Sequence, residues 1–156
     1  MPQELLLEIQ KELMDQKLFS KDPEKTLKHL ISQQSTGHHS PDTIHSVVQL
    51  VMGKDDNKLK RLLYYFFETM NKEDKSFIVC LNQIKKDLSG PNEFVRGLVL
   101  KFISTLENID YVLPLLKDVK DNLNNKCSYV RMNALYCLGE VGLSLILKSR
   151  LISSAQ

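Results

Sequence analysis

The sequence predicts an all-α fold, an α-solenoid of stacked helical hairpins. Two helices broken at Ser89-Gly90-Pro91 occupy residues 80–104, because glycine can close a helix and proline cannot continue one. The same apolar pattern returns 35 residues later, at 115–139, and is also found 36 residues earlier. Units of this kind bury their apolar faces only by stacking on neighbours, so a period near 35 indicates a solenoid.

The repeat register aligns equivalent positions in three units. In the middle unit these are Ile84, Leu88, Val95, Arg96, Val99 and Ile103; in the following unit Val119, Leu123, Val130, Arg131, Ala134 and Leu138; in the preceding unit Val48, Met52, Leu59, Lys60, Leu63 and Phe67. We predict one domain over residues 1–156. It has capping helices at 1–36 and repeat units at 40–70, 74–106 and 109–147.

Capping residues mark the helix starts in the first half of the chain. An amphipathic helix is predicted over residues 3–18. Asp22-Pro23 places a side-chain acceptor before a proline at the first helical position, which is a strong start signal. Its helix presents Leu27, Leu30 and Ile31. Ser40-Pro41-Asp42 repeats the signal ahead of an apolar stripe made of Ile44, Val47, Val48, Val51 and Met52.

The second half is predicted to be helical as well. Asp56 can cap a helix in which Tyr64 and Tyr65 extend the apolar surface nearly all round, so this helix should be the most buried. Helices over 74–89 and 92–106 follow. Another begins near Asp110, with a proline tolerated near its first turn, and the last begins near Ser128 and runs to about residue 147. No strand pattern is present.

Composition indicates an ordinary soluble protein. Of 156 residues, 42% are hydrophobic and 26% charged, and the formal net charge is +2, so no global field points to nucleic acid or to an anionic membrane. Cys80, Cys127 and Cys137 lack CxxC spacing and are expected to be reduced. No signal peptide is visible, and no apolar run approaches the roughly 20 residues of a membrane span. We expect a cytoplasmic location.

Catalytic and metal-binding patterns are weak. His38-His39 with His45 lies in a polar region without cysteine or paired carboxylates at ligand spacing, which makes a metal site a poor interpretation. No phosphate-binding loop is present. We expect no enzymatic activity, no catalytic residue, no metal and no cofactor.

Arg96 and Arg131 open the second helix of successive units, beside the inward-facing Val95 and Val130. An arginine there can reach carbonyls or carboxylates of the adjacent unit while its stem covers apolar surface. Asp87 and Asp121 are candidate partners. A structural ladder that ties the repeats together is the favoured interpretation over a ligand role. The small residues Ala134 and Gly139 are expected to let helices approach closely.

The helix predicted at 74–89 carries apolar residues off its core stripe. With Phe77 at the centre of that stripe, Ile78 lies about 100° and Val79 about 200° away. Lys85 and Lys86 follow one heptad later on the same faces. An apolar pair beside basic residues could dock a partner, or Ile78 could merely contact a neighbouring helix.

The segments KKDLSGPNEFVRGLVLKF and CSYVRMNALYCL resemble HEAT repeats. In more detail they are similar to the amino-terminal adaptin-like trunk of the coatomer beta-subunit family, where an NQIRKDLxHPNEFIRG-type segment precedes HSYVRxNA. The resemblance spans roughly residues 22–138. Beta adaptins of clathrin adaptors are the nearest alternative, and a generic HEAT-repeat interaction scaffold is another.

This resemblance implies a COPI vesicle-coat subunit in Golgi-to-ER and intra-Golgi transport, located in the cytoplasm and peripherally on Golgi membranes and COPI vesicles. Implied partners are the other coat subunits and an Arf-family GTPase in its GTP form, with no nucleic acid and with membrane association through the coat only. It also implies that Ile78, Leu81 and Lys85 form part of the GTPase-binding face. Because the repeat pattern fades after Leu138, we expect a truncated chain or a naturally short relative.

Overall fold

A computed structural model describes residues 22–36, 44, 47–49, 51, 54–70 and 77–154. Within these ranges every regular element is a helix, which confirms the all-α fold class. The chain divides into two compact units, Met1–Gln83 and Ile84–Gln156. The predicted helix at 3–18, the start signal at 40–42 and all three histidines of the weak metal pattern lie outside the described residues.

The first unit contains helix α1 (Pro23–Ser35), helical residues at 44, 47–49 and 51, and helix α2 (Asn57–Thr69). Both predicted caps form. Asp22 Oδ1 accepts from the Lys25 backbone N–H at 3.0 Å, and Asp56 Oδ1 accepts from that of Lys58 at 2.8 Å. Each cap satisfies an amide that has no partner within its helix. Helices α1 and α2 pack together.

Apolar side chains from α1, α2 and the intervening residues form the core of the first unit: Leu27, Leu30, Ile31, Ile44, Val47, Val48, Val51, Leu59, Leu63, Tyr64, Phe66, Phe67 and Met70 are buried. The Tyr64 and Phe67 rings meet edge to face with centroids 5.6 Å apart. Tyr65, which was counted among the apolar residues expected to make α2 the most buried helix, is exposed. One side of α2 faces solvent, so the Tyr65 ring does not contribute to the core.

Helix α3 (Phe77–Leu88) contains the boundary between the two units. The second unit continues with α4 (Glu93–Ile103), α5 (Ile109–Val112), α6 (Leu116–Asp121) and α7 (Ser128–Ser154), with short 3-10 turns at Leu113–Leu115 and Asn122–Asn124. The single helix predicted near residue 110 is therefore broken. Pro114 lies at the break, where it lacks an N–H and cannot support regular α-helical bonding.

Helices α4 and α7 pack together as the second helices of successive repeats. Gly97 of α4 makes this approach possible, because a Cβ atom there would overlap the ring of Tyr129. Ala134 is fully buried, as expected for a small interface residue. The same expectation for Gly139 is wrong: Gly139 is exposed, and nothing lies within 4 Å of the position of its missing Cβ.

Helix α7 extends to Ser154, beyond the predicted end near residue 147. It contains no proline, and its glycines at 139 and 142 lower helix propensity without breaking the hydrogen-bond ladder. In the described part of the chain, residues 128–150 make one helix long and apolar enough to cross a membrane by length and composition alone. That criterion is weak, because core helices also satisfy it.

Candidate protein-docking site

Helix α3 separates a core stripe from an outward side. Phe77, Cys80, Ile84 and Leu88 are fully buried, at the three- and four-residue spacings of one helix face. Ile78 and Lys85, one heptad apart, lie about 80–100° from Phe77 and are exposed, whereas Leu81 lies about 40° from Phe77, at the edge of the stripe, and is half-buried. Phe77 and Cys80 belong to the first unit, and Ile84 and Leu88 belong to the second.

Ile78 lies in the first unit and is 56% exposed, so it does not serve the core. Leu81, one turn further on, is half-buried and supports the helix while keeping part of its side chain in solvent. Val79 is also half-buried. The sequence therefore identified the off-stripe position correctly for Ile78, and a large β-branched residue is left in water where a polar one would be easier to solvate.

Lys85 lies in the second unit, with 62% of its side chain exposed. Its Nζ is 4.0 Å from Asp118 Oδ2, at the outer limit of an ion pair. Exposed pairs of this kind contribute only about 0–1 kcal/mol. The ammonium group is therefore restrained weakly, and an anionic group of a partner could replace Asp118 as its ion-pair partner with little loss of free energy.

Arg96 connects the second unit internally. Its guanidinium donates to the backbone carbonyls of Ser89, at 3.0 Å, and of Gly90, and to Asn122 Oδ1 at 3.3 Å. Asn122 is buried and donates through Nδ2 to the carbonyls of Leu88 and Asp118, at 3.2 and 2.8 Å. One amide side chain thus joins the end of α3 to the following repeat.

Arg131 occupies the equivalent position in the next repeat, and its hydrogen bonds within the described part of the chain are local. Its Nη1 donates to the backbone carbonyls of Asn125 and Lys126, both at 2.8 Å. The proposed pairing with Asp87 and Asp121 stays a prediction, because the described hydrogen bonds of both arginines go to other groups. Arg96 has an asparagine as its side-chain partner, and Arg131 contacts the turn that precedes its own helix.

The role of Asn122 was missed because only charged side chains, the aspartates, were considered as partners of the arginines. A signal existed in the repeat register: Asn122 follows Asp87 by 35 residues, whereas the chosen Asp121 is one position out of register. An amide can donate to two carbonyls and accept from an arginine at once, whereas an ionised carboxylate only accepts. The network around Asn122 needs both capacities.

Other reactive groups in the described ranges do not converge. No three His, Cys, Asp or Glu side chains of these residues lie where they could hold a metal ion together. Cys80 and Cys137 are free and buried, and burial raises the pKa of each thiol to about 12. Both thiols therefore stay protonated at neutral pH and act as small apolar core groups.

Comparison with known proteins gives a consistent family. Residues 5–144 match the family described as the adaptin N terminal region. Among curated relatives, coatomer subunit beta of Dictyostelium discoideum is 32% identical over 120 residues, which is 73% of this chain and 13% of the relative. The Trypanosoma brucei brucei protein of the same name is 31% identical over 74% of this chain and 12% of its own length, and that of Sus scrofa is 30% identical over 76% and 13%. The chain thus corresponds to only about an eighth of the length of these relatives.

Proposed function

The chain belongs to the adaptin N-terminal region family, and from that premise we propose that it is a non-enzymatic segment of a coatomer-type vesicle-coat subunit. The similarity to coatomer beta subunits from several distant organisms, at 30 to 32% identity over about three quarters of the chain, carries this proposal. The described part of the chain presents helix faces on which other proteins can bind. Its proposed role is therefore to act as a scaffold and a docking surface. Coat subunits are the expected neighbours.

Within that role we propose that the outward side of α3 docks an Arf-family GTPase in its GTP form, as the resemblance implies. Ile78 supplies an exposed apolar anchor, the half-buried Leu81 adds apolar surface one turn further on, and Lys85 supplies a weakly restrained positive charge. An apolar centre with a charged rim is the usual composition of a protein interface. The proposed setting is COPI traffic from Golgi to ER and within the Golgi, on the cytoplasmic side of the membrane.

Binding of the chain to an Arf-family GTPase, loaded with a non-hydrolysable GTP analogue or with GDP, tests the docking proposal. We expect a clear preference for the GTP form. Ile78→Asp should weaken that binding at least tenfold, because it places a charge at the centre of an apolar contact. Lys85→Ala should weaken it several-fold, and less at high salt, since rim charges act mainly through screened attraction.

Leu113→Asp is the matched control. Leu113 is similar to Ile78 in size and exposure, but it lies outside α3. It should leave GTPase binding unchanged. Equal binding of both nucleotide forms, or full binding by a folded Ile78→Asp variant, would contradict the docking proposal. If the same preparations still bind other coat subunits, the chain acts as a scaffold segment and not as a GTPase-docking segment.

A further inference from the structure

The ion pair of Lys85 and Asp118 joins two successive repeats of the second unit. Lys85 lies near the end of α3, and Asp118 lies in α6. The Lys85 Nζ atom is 4.0 Å from Asp118 Oδ2, with 62% of the lysine side chain exposed but only 25% of the aspartate side chain. The lysine therefore extends into solvent, where a partner can reach it, whereas most of the aspartate side chain is covered by the chain itself.

The backbone that carries Asp118 is held next to α3 by the buried Asn122 side chain. Asn122 Nδ2 donates to the carbonyl of Leu88, 3.2 Å away in α3, and to the carbonyl of Asp118, 2.8 Å away in α6. Leu88 follows Lys85 by three residues, so the bond to α3 lies about one helical turn from the lysine. The same buried amide thus connects both helices close to the ion pair, and the carboxylate cannot easily move away from the lysine.

The lysine side chain, in contrast, can be redirected. Its ammonium group carries three donors on a flexible four-carbon stem. At 4.0 Å the contact with Asp118 is an attraction between charges without a hydrogen bond. A carboxylate on a partner that approaches within hydrogen-bond distance would attract Lys85 more strongly, because a charge-assisted hydrogen bond adds to the ion pair. Lys85 can therefore exchange Asp118 for a carboxylate of a partner.

From this arrangement we infer that Asp118 competes with the docked GTPase for Lys85 and thereby sets the strength and specificity of docking. The inference rests on the proposed docking function and adds that Lys85 binds a carboxylate of the partner. Docking then separates Lys85 from Asp118 and brings a second negative charge towards Asp118. Both effects oppose binding, so Asp118 lowers the affinity that Lys85 would otherwise give. A partner that lacks a carboxylate at this point leaves Lys85 with Asp118 and gains no affinity from it.

Asp118→Asn tests the inference, because it removes the charge and keeps the shape of the side chain. We expect the affinity for the GTP form of the GTPase to rise about two- to fivefold, which corresponds to the contribution of exposed ion pairs. The rise should shrink at high salt, where charges are screened. It should also be much smaller in a Lys85→Ala background, in which the competition has no object. Asp118→Glu keeps the charge and should bind like the unaltered chain.

Asp121→Asn is the matched control. Asp121 lies in the same helix, about one turn beyond Asp118, is exposed, and takes part in none of the ion pairs within the described part of the chain. Its substitution changes the net charge by the same amount and should leave GTPase affinity unchanged. Circular dichroism and urea unfolding of each variant check that the fold is kept.

The outcomes separate this inference from the docking proposal on which it rests. If the unaltered chain binds the GTP form and Asp118→Asn binds no more tightly, the ion pair serves only to connect the repeats. That result overturns the inference and leaves the docking proposal standing. Equal gains for Asp118→Asn and Asp121→Asn would also overturn it, because they would show an effect of net charge alone. A folded, unaltered chain that binds neither nucleotide form would overturn the docking proposal and this inference with it.

Discussion

Helices α4 and α7 occupy the same place in successive repeats, yet their outward faces differ. Leu100 of α4 is fully buried, whereas Leu135, 35 residues later, is 68% exposed. Gly97 lies under the ring of Tyr129, whereas its counterpart Met132 is open to solvent. The repeat decides which positions point outward, but a covering neighbour decides whether they contribute to stability. Helix α7 is such a neighbour for α4, which it meets at Gly97.

The largest expected difference between the two helices concerns the paired leucines. Leu100→Ala should lower the free energy of unfolding by about 2–5 kcal/mol, since it removes a buried side chain and leaves a cavity. Leu135→Ala should change it by about 0.5 kcal/mol or less. Urea unfolding at low micromolar concentration measures both. Similar losses for the two variants would show that α7 is covered in solution.

The paired arginines should differ next. Arg96→Ala removes the contact with the buried Asn122 side chain and with two carbonyls, which should cost about 1–3 kcal/mol. Arg131→Ala exposes only carbonyls that water can reach and should cost about 0.5–1.5 kcal/mol. A double-mutant cycle of Arg96→Ala with Asn122→Ala, followed by urea unfolding, isolates the shared term. If the losses in the free energy of unfolding from the two single variants simply add up in the double variant, Arg96 and Asn122 do not stabilise each other. That result would contradict the proposed connection between the repeats.

Alanine substitutions at Gly142 and Gly97 are expected to change the free energy of unfolding in opposite directions. Gly142→Ala in α7 should raise the free energy of unfolding by about 0.5–1 kcal/mol, because nothing lies within 4 Å of its missing Cβ and alanine favours helix. Gly97→Ala gains the same propensity but forces its Cβ into Tyr129, so it should lose about 1 kcal/mol net. Thermal unfolding compares them. If Gly97→Ala is also stabilising, α4 and α7 pack less closely than described.

The smallest effect concerns thiol reactivity on the covered face of α7. Burial raises the pKa of Cys137 to about 12, so this thiol stays almost entirely protonated at pH 8. Partly exposed Cys127 should therefore react first with a maleimide, and Cys80 and Cys137 far more slowly. Mass spectrometry of peptides from a time course measures the order. Equal rates at Cys127 and Cys137 would mean that α7 opens from the second unit easily.

Features decided by local chemistry were predictable from the sequence. The starts of α1, α2 and α4 follow from Asp22, Asp56 and Asn92, whose side chains accept from amides two or three residues ahead. The repeat register placed Val95 and Val130 in the core, where both are buried. Off-stripe Ile78 was recognised because a helical period alone defines the stripe.

Features decided by neighbours were not predictable in the same way. The exposure of Tyr65 depends on which side of α2 meets another helix. Gly139 was expected at a close approach, but Gly97 makes it, because only the folded chain shows where Tyr129 lies. Asn122 was overlooked because its value comes from three simultaneous hydrogen bonds and not from charge. The assignment of Ile78, Leu81 and Lys85 to GTPase docking remains a prediction.

The central claim is the proposed docking of an Arf-family GTPase on the outward side of α3. Binding of the unaltered chain, Ile78→Asp and Leu113→Asp to the GTP-form and GDP-form GTPase tests it most directly. We predict that Ile78→Asp loses binding to the GTP form while Leu113→Asp keeps it. Full binding by folded Ile78→Asp, or equal loss in both folded variants, would contradict the claim.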